Sequence, residues 1–261
     1  MIAVAGVVFP QSTTAAPLQP TKPWVLEFAD EQCVAAREYG APDKPLAIIL
    51  KPSPVGNLIQ ITFLRPATGG APRDIAADLR IGDHPPIETR ALTFDSKSAK
   101  LRSMRISLPA ETADRLAEAR TIEINASGEL DQTFAIAPMR DVMATMKACI
   151  ADLRAHWNIG AENEVTLRTR AKANLARFLR DTDYPEMAAL RRQGGVVEFV
   201  LLIDEAGKVA DCTVTVPSGV PTLDAQSCAI LVDRVKFEPA VGHDGKPAKD
   251  SAVSRITWKI P

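Results

Sequence analysis

From Trp24 to Phe134 the chain is cut into short extended runs, "WVLEF", "PLAIIL", "LIQITFL", "IAADLRI", "LRSMRISL" and "TIEINAS" among them, separated by Pro, Gly, Asn and Asp. Runs of this length, rich in β-branched and aromatic residues and bounded by turn formers, bury their apolar side only by pairing with one another. The pattern therefore predicts an antiparallel β-rich domain, interrupted by one short helix at about Glu111 to Arg120. The period then changes. In "PMRDVMATMKACIADLRAHW" the residues Met139, Val142, Met143, Met146, Cys149, Ile150 and Leu153 recur at three- and four-residue intervals, which marks a helix with one buried stripe closing that domain. The methionines on it are flexible core filler.

The bulk properties exclude some classes. The chain has 261 residues, 46% hydrophobic and 24% charged, enough for one large core or two modest ones. A net charge of −1 gives no nucleic-acid footprint, and the three histidines, His84, His156 and His243, are too scattered for a metal cluster. No metal site, cofactor or catalytic residue is expected: there is no G-x-S-x-G elbow, P-loop, G-x-G-x-x-G after a strand, or H-E-x-x-H. Asp204 and Glu205 read as turn residues and Glu162 and Glu164 as solvated helix residues. His243, Asp244 and Lys246 fall in a loop, "GHDGKP", that reads as an exposed turn.

The N-terminus speaks to compartment. The apolar run Ile2 to Phe9, followed by small residues ending in Ala15 and Ala16, has the shape of a secretory signal, although no Lys or Arg precedes it and Pro17 obstructs cleavage after Ala16. Residues 1–20 are accordingly a signal-peptide remnant or a disordered N-terminus. At about 20 residues per crossing, no stretch of the chain is long and apolar enough for a transmembrane helix. Cys33, Cys149, Cys212 and Cys228 show no C-x-x-C or zinc spacing. The chain divides near residue 160 with two cysteines on each side, so an exported chain pairs them Cys33–Cys149 and Cys212–Cys228, whereas a cytosolic one keeps four buried thiols. The export-like start favours the disulfides.

The organisation expected is α+β: a β-rich domain over 21–157, a connecting helix over 158–181 through Val165, Ala171, Leu175, Phe178 and Leu179, and a small domain over 182–261. In the last, Pro185 starts a short helix. "GVVEFVLLI" is a strand with Val197, Phe199, Leu201 and Ile203 on one face, "DEAG" is a hairpin turn, and "KVADCTVTV" is the returning strand. "TLDAQSCAILVDRV" is a helix, and Ala252, Ser254, Ile256, Trp258 and Ile260 alternate along a final strand. The order is αββαβ.

These residues, "YP", then "GVVEFVLLIDEAGKV", then "VPSG…LD", then "FEPA…GKP", then a terminal strand with Trp258, resemble the C-terminal domain of TonB-type energy transducers. The resemblance implies periplasmic residence and a binding role, in which the last strand takes an extended peptide from an outer-membrane transporter by strand addition. Carried onto this chain, it points to Tyr184, Pro185, Arg255, Ile256, Thr257, Trp258, Lys259 and Ile260, with a protein of the cell envelope as partner. The sequence departs from the family in two respects: "DTDYP" lacks glutamines before the Tyr-Pro pair, and a globular stretch stands where transducers carry an anchor and a Pro-rich spacer. That stretch resembles invasion-associated locus B-type periplasmic proteins in Trp24 and an early Cys33, two residues that carry no function across. The alternative reading is a periplasmic scaffold or ligand-binding protein whose N-terminal β domain sets specificity.

Overall fold

The computed structural model describes residues 16–55, 57–67, 69–70, 72–95, 100–126, 128–160 and 167–260. The signal-like run, Val165, the pair Glu162 and Glu164, and Pro261 lie outside them.

The extended runs form nine strands: β1 (Val25–Ala29), β2 (Gln32–Ala41), β3 (Lys44–Pro52), β4 (Leu58–Pro66), β5 (Arg73–Ile81), β6 (Ile87–Asp95), β7 (Leu101–Pro109), β8 (Thr121–Ala126) and β9 (Leu130–Ala135). All pair antiparallel in the order β1-β2-β3-β4-β7-β6-β5-β8-β9. The sheet curls until its two ends approach. The segment from Leu18 spans the gap, exchanging Leu18 N–H to Thr133 O (2.8 Å) and Ala135 N–H to Leu18 O (2.9 Å) with the β9 side, while Thr21 N–H reaches Glu38 O on β2 at 2.9 Å. Tyr39 and Phe134, from the two ends, meet edge to face at 4.9 Å.

Alternation along each strand sends Ile48, Leu50, Ile61, Phe63, Leu79, Ile106 and Ile124 to one face, all essentially without solvent exposure. This face packs against α1 (Thr112–Glu118) and α2 (Arg140–His156). On α2 the stripe of Val142, Met143, Met146, Ile150 and Leu153 is buried, as the helical period requires. Cys149 is bonded to Cys33 of β2, tying the closing helix to the start of the sheet.

The connecting helix expected over 158–181 is not formed in its described part. Leu167–Thr169 is a strand, β10, followed by single 3-10 turns at Leu175–Phe178 and Asp181–Asp183. Tertiary hydrogen bonds override the weak helical pattern: Lys172 and Glu238 exchange backbone N–H···O bonds of 3.0 and 2.8 Å, and Asp250 accepts from the Ala171 N–H at 2.7 Å. Ala171, Leu175, Phe178 and Leu179 join the second hydrophobic cluster.

That cluster is built by α3 (Glu186–Leu190), β11 (Gly195–Ile203), β12 (Val209–Val216), α4 (Pro221–Arg234), β13 (Ala240–Gly242), β14 (Pro247–Ala248) and β15 (Asp250–Trp258). The α+β class is as expected, with one addition: the loop holding His243 is a small hairpin, β13–β14, that pairs with β10. The predicted β11–β12 hairpin turns at Asp204, whose Oδ1 accepts the N–H groups of Ala206 and Lys208. Gly207 takes φ +76° there, and a Cβ would collide with the carbonyl of Phe237. Cys212 on β12 is bonded to Cys228 on α4.

The sheet β12-β11-β15 is buried on two sides. Phe199, Leu201, Ile203 and Ile256 belong to the second cluster, whereas Val200 and Leu202, on the opposite face of β11, belong to the first. Lys51 with Asp211 (3.2 Å), Thr222 with Asp74 (3.0 Å from the hydroxyl) and Asn158 with the Lys249 carbonyl (3.0 Å) add polar ties between the two parts of the chain.

Candidate functional site

The residues singled out from the sequence converge on the outer strand of the small sheet. β15 pairs with β11 throughout, from Gly195↔Trp258 to Ile203↔Asp250, and has no strand on its other side among the described residues. The direction of its backbone groups follows from one contact. Arg170 Nη2 donates to the Ser251 carbonyl at 2.7 Å, so Ser251 faces away from β11. Backbone groups of alternate residues on an antiparallel strand point the same way, so Val253, Arg255 and Thr257 direct their N–H and C=O outward.

The start of this edge is covered. Asp250, 1% exposed, is held by Arg170 at 2.7 Å and by the Ala171 N–H. Beyond Ser251 the cover ends, and Val253 is 74% exposed. Side chains alternate as the sequence predicts: Ile256 and Trp258 are buried, while Arg255, Thr257 and Lys259 are exposed. Lys259 and Ile260 lie just past the strand's end, so the open stretch runs from Val253 to Trp258 with a two-residue exposed tail.

Trp258 fixes the end of the edge. Its ring is 7% exposed, its Nε1–H donates to Ser227 Oγ on α4 at 2.9 Å, and Tyr184 meets it edge to face at 5.3 Å. Tyr184 is itself anchored through its hydroxyl, which donates to the Gln193 carbonyl at 2.6 Å. Gly194 lets this corner close, because a Cβ there would sit 2.7 Å from the Trp258 carbonyl oxygen. Pro185 follows Tyr184 as the residue that caps α3. Six of the eight predicted residues are thus on β15 or its tail, and of the Tyr-Pro pair Tyr184 stands beside Trp258 while Pro185 caps the start of α3.

Near the same unit, Asp183 binds Arg234 through both oxygens (2.7 and 2.8 Å). Burial alone would raise its carboxyl, but the hydrogen bonds from Arg234 and the Arg180 N–H hold it below the ordinary range. This pair locks the segment before Tyr184 onto α4. Sequence reasoning missed it, along with the exposed Met187 and Leu190 on α3; "EMAAL" carries too few residues to show which face is buried.

The His243 loop shows no convergence of catalytic groups: Asp244 Oδ1 accepts the N–H of Lys246 two residues on, within an exposed turn. Among the described residues no group of three His, Cys, Asp or Glu side chains is disposed to hold a metal ion, and no helix is long and apolar enough to cross a membrane. No curated protein matches the chain. Residues 180–260, which carry the open edge, the Tyr184–Trp258 corner and the disulfide-bonded helix, match the family model described as Gram-negative bacterial TonB protein C-terminal.

Proposed function

We propose that this chain is a periplasmic, TonB-like protein-binding module that takes an extended peptide of an envelope partner along the open edge of β15. The observation that carries the reading is the row of outward N–H and C=O groups at Val253, Arg255 and Thr257, on a strand whose register is pinned from behind by Ile256 and Trp258. A peptide strand laid there gains main-chain hydrogen bonds, and Arg255 and Lys259 favour one with acidic residues at alternate positions. The family match at 180–260 supports the binding role. The two disulfides fit an oxidising compartment such as the periplasm. The reading treats 182–261 as the binding unit and 21–157 as the domain that presents it.

The test uses the intact, oxidised chain. Peptides from the periplasmic N-termini of outer-membrane transporters are titrated while amide signals are followed. Wild type is expected to shift at Val253 to Ile260. Thr257→Pro removes one outward donor without touching the β11 pairing, which an edge strand tolerates, and is expected to weaken binding about tenfold. Shifts confined to other surfaces, or a folded proline variant that binds equally well, would overturn strand addition. A second reading, in which the N-terminal sheet binds a ligand and sets specificity, is favoured by a cleft on that sheet's outer face.

A further inference from the structure

Between the outer face of the nine-stranded sheet and the β12–α4 side of the C-terminal portion lies a cleft of about 660 Å³, within the range of small-molecule sites. The sheet wall mixes polar residues, Gln60, Thr62, Ser103 and Arg105, with the apolar Leu64 and Leu92, and Asp211 and Asp224 stand in the opposite wall. Arg105 is at the centre of this wall: its cross-strand neighbours are Thr62 on β4 and Leu92 on β6. Its Nε is the one buried side-chain nitrogen or oxygen left without a hydrogen-bond partner among the described residues. The guanidinium lies over the Phe94 ring, 5.2 Å from its centroid, rather than against a carboxylate.

A guanidinium so placed has lost much of its water and gained little in return. Burial pushes it below its usual range, and the charge of Asp211 offsets this only in part. Asp211 is itself committed to Lys51 at 3.2 Å, and Asp224 accepts the Ser218 N–H at 2.8 Å. The Nε itself is closed to solvent while the half-buried residue lines the cleft, so an anion reaches the guanidinium from its Nη end, where a planar carboxylate takes two parallel N–H bonds. The lining limits its charge, because Lys51 and Arg90 are set against Glu27, Asp211 and Asp224 and leave no cation beyond Arg105 to balance a dianion.

We propose that this cleft binds a small organic monocarboxylate, its carboxylate on Arg105 with Thr62 beside it and its apolar body along Leu64 and Leu92. The site goes beyond strand addition at β15 and does not depend on it. It draws on both parts of the chain, so the ligand bridges the N-terminal sheet and the disulfide-bonded β12–α4 pair.

Octanoate and phenylacetate are the probes, titrated into the intact oxidised protein at constant ionic strength, with chloride and phenyl phosphate as controls. Ligands of this size are expected to saturate one site at about millimolar concentration, shifting the side-chain Nε–H signal of Arg105. Arg105→Gln is expected to weaken binding at least about tenfold, and Ala225→Phe, which fills the cleft from α4 without altering the guanidinium, to abolish it. If Arg105→Gln fails to fold, Ala225→Phe decides the matter alone. The proposal is overturned if neither carboxylate saturates, if both variants bind as wild type does, if the Arg105 signal stays still, or if phenyl phosphate binds as tightly as phenylacetate.

Discussion

The two disulfides close loops of very different length, and the difference sets a stability order that can be measured. Cys212–Cys228 spans 16 residues and Cys33–Cys149 spans 116. On the chain-entropy estimate, which scales with the logarithm of loop length, the first stabilises by about 3 kcal/mol and the second by about 5 kcal/mol. Packing widens the gap, since Cys33 is 1% exposed whereas Cys212 and Cys228 are half-buried, so truncation at Cys33 also leaves a cavity. Cys33→Ala/Cys149→Ala should therefore lose more stability than Cys212→Ala/Cys228→Ala. The assay is equilibrium urea unfolding of the oxidised proteins, followed by tryptophan emission and far-UV circular dichroism. Trp157 reports from the first hydrophobic cluster and Trp258 from the second. The long-loop variant should also show a larger denaturant slope, because its unfolded chain is freed to expand. Equal losses, or a greater loss from the 16-residue bridge, would refute the argument that chain entropy governs these staples.

Two further expectations concern stability. Trp258→Ala should cost about 3–5 kcal/mol, because it removes a buried ring, its bond to Ser227 and the Tyr184 contact together; a near-neutral result in thermal melts would mean that the corner does not hold the edge in place. Glu129, 3% exposed in its side chain, sits among Arg65, Arg73 and Arg102. Burial would raise its carboxyl, but the hydrogen bonds and charges of Arg102 and Arg65 bring it down from 4.5 to about 2. A depressed carboxyl contributes stability above its unfolded value that is lost as pH falls through the folded one, so at most about 3 kcal/mol, less after solvent screening, should disappear between pH 4.5 and about 2. Urea midpoints across that window should fall in wild type and stay flatter in Glu129→Gln.

What the sequence revealed follows from the range of the interactions involved. The β11–β12 hairpin, α4 and β15 were legible because each is written in contiguous residues: a period of two in Val197, Phe199, Leu201 and Ile203, a turn in "DEAG", and a period of two again through Ile256 and Trp258. Cysteine pairing was legible because chain division left one partner for each thiol. The helix expected over 158–181 is not formed in 167–181 because backbone bonds there go to Glu238 and Asp250, some 66 and 79 residues away, and local propensity cannot report a partner at that distance. The Glu129 cluster joins residues from β4, β5, β7 and the β8–β9 turn, and Arg105 faces Asp211 only because the C-terminal portion folds back over the sheet.

That fold-back left one trace in the sequence. In "GVVEFVLLI" the alternation expected of a strand with one wet face breaks down after Glu198, and Phe199, Val200, Leu201, Leu202 and Ile203 run on without a polar residue. A continuous apolar run is the mark of a strand covered on both faces, and β11 is such a strand, with α4 on one side and the first hydrophobic cluster on the other. Its two neighbours then have different fates. β12 runs beside Lys51 and the Arg105 cleft, and its Thr215 carbonyl is taken by the Asn57 side chain, so it is the strand that docks to the N-terminal sheet. β15, on the far side of β11, has its outer border covered at Asp250 and Ser251 by Arg170 and is anchored at its end by the bond of Trp258 to α4, with the border between them open among the described residues. The contact that holds the two parts together thus takes one face of β11 and the β12 border of the small sheet and leaves the β15 border open beyond Ser251, so the two proposals, a peptide at β15 and a ligand in the cleft, are tested by separate mutations.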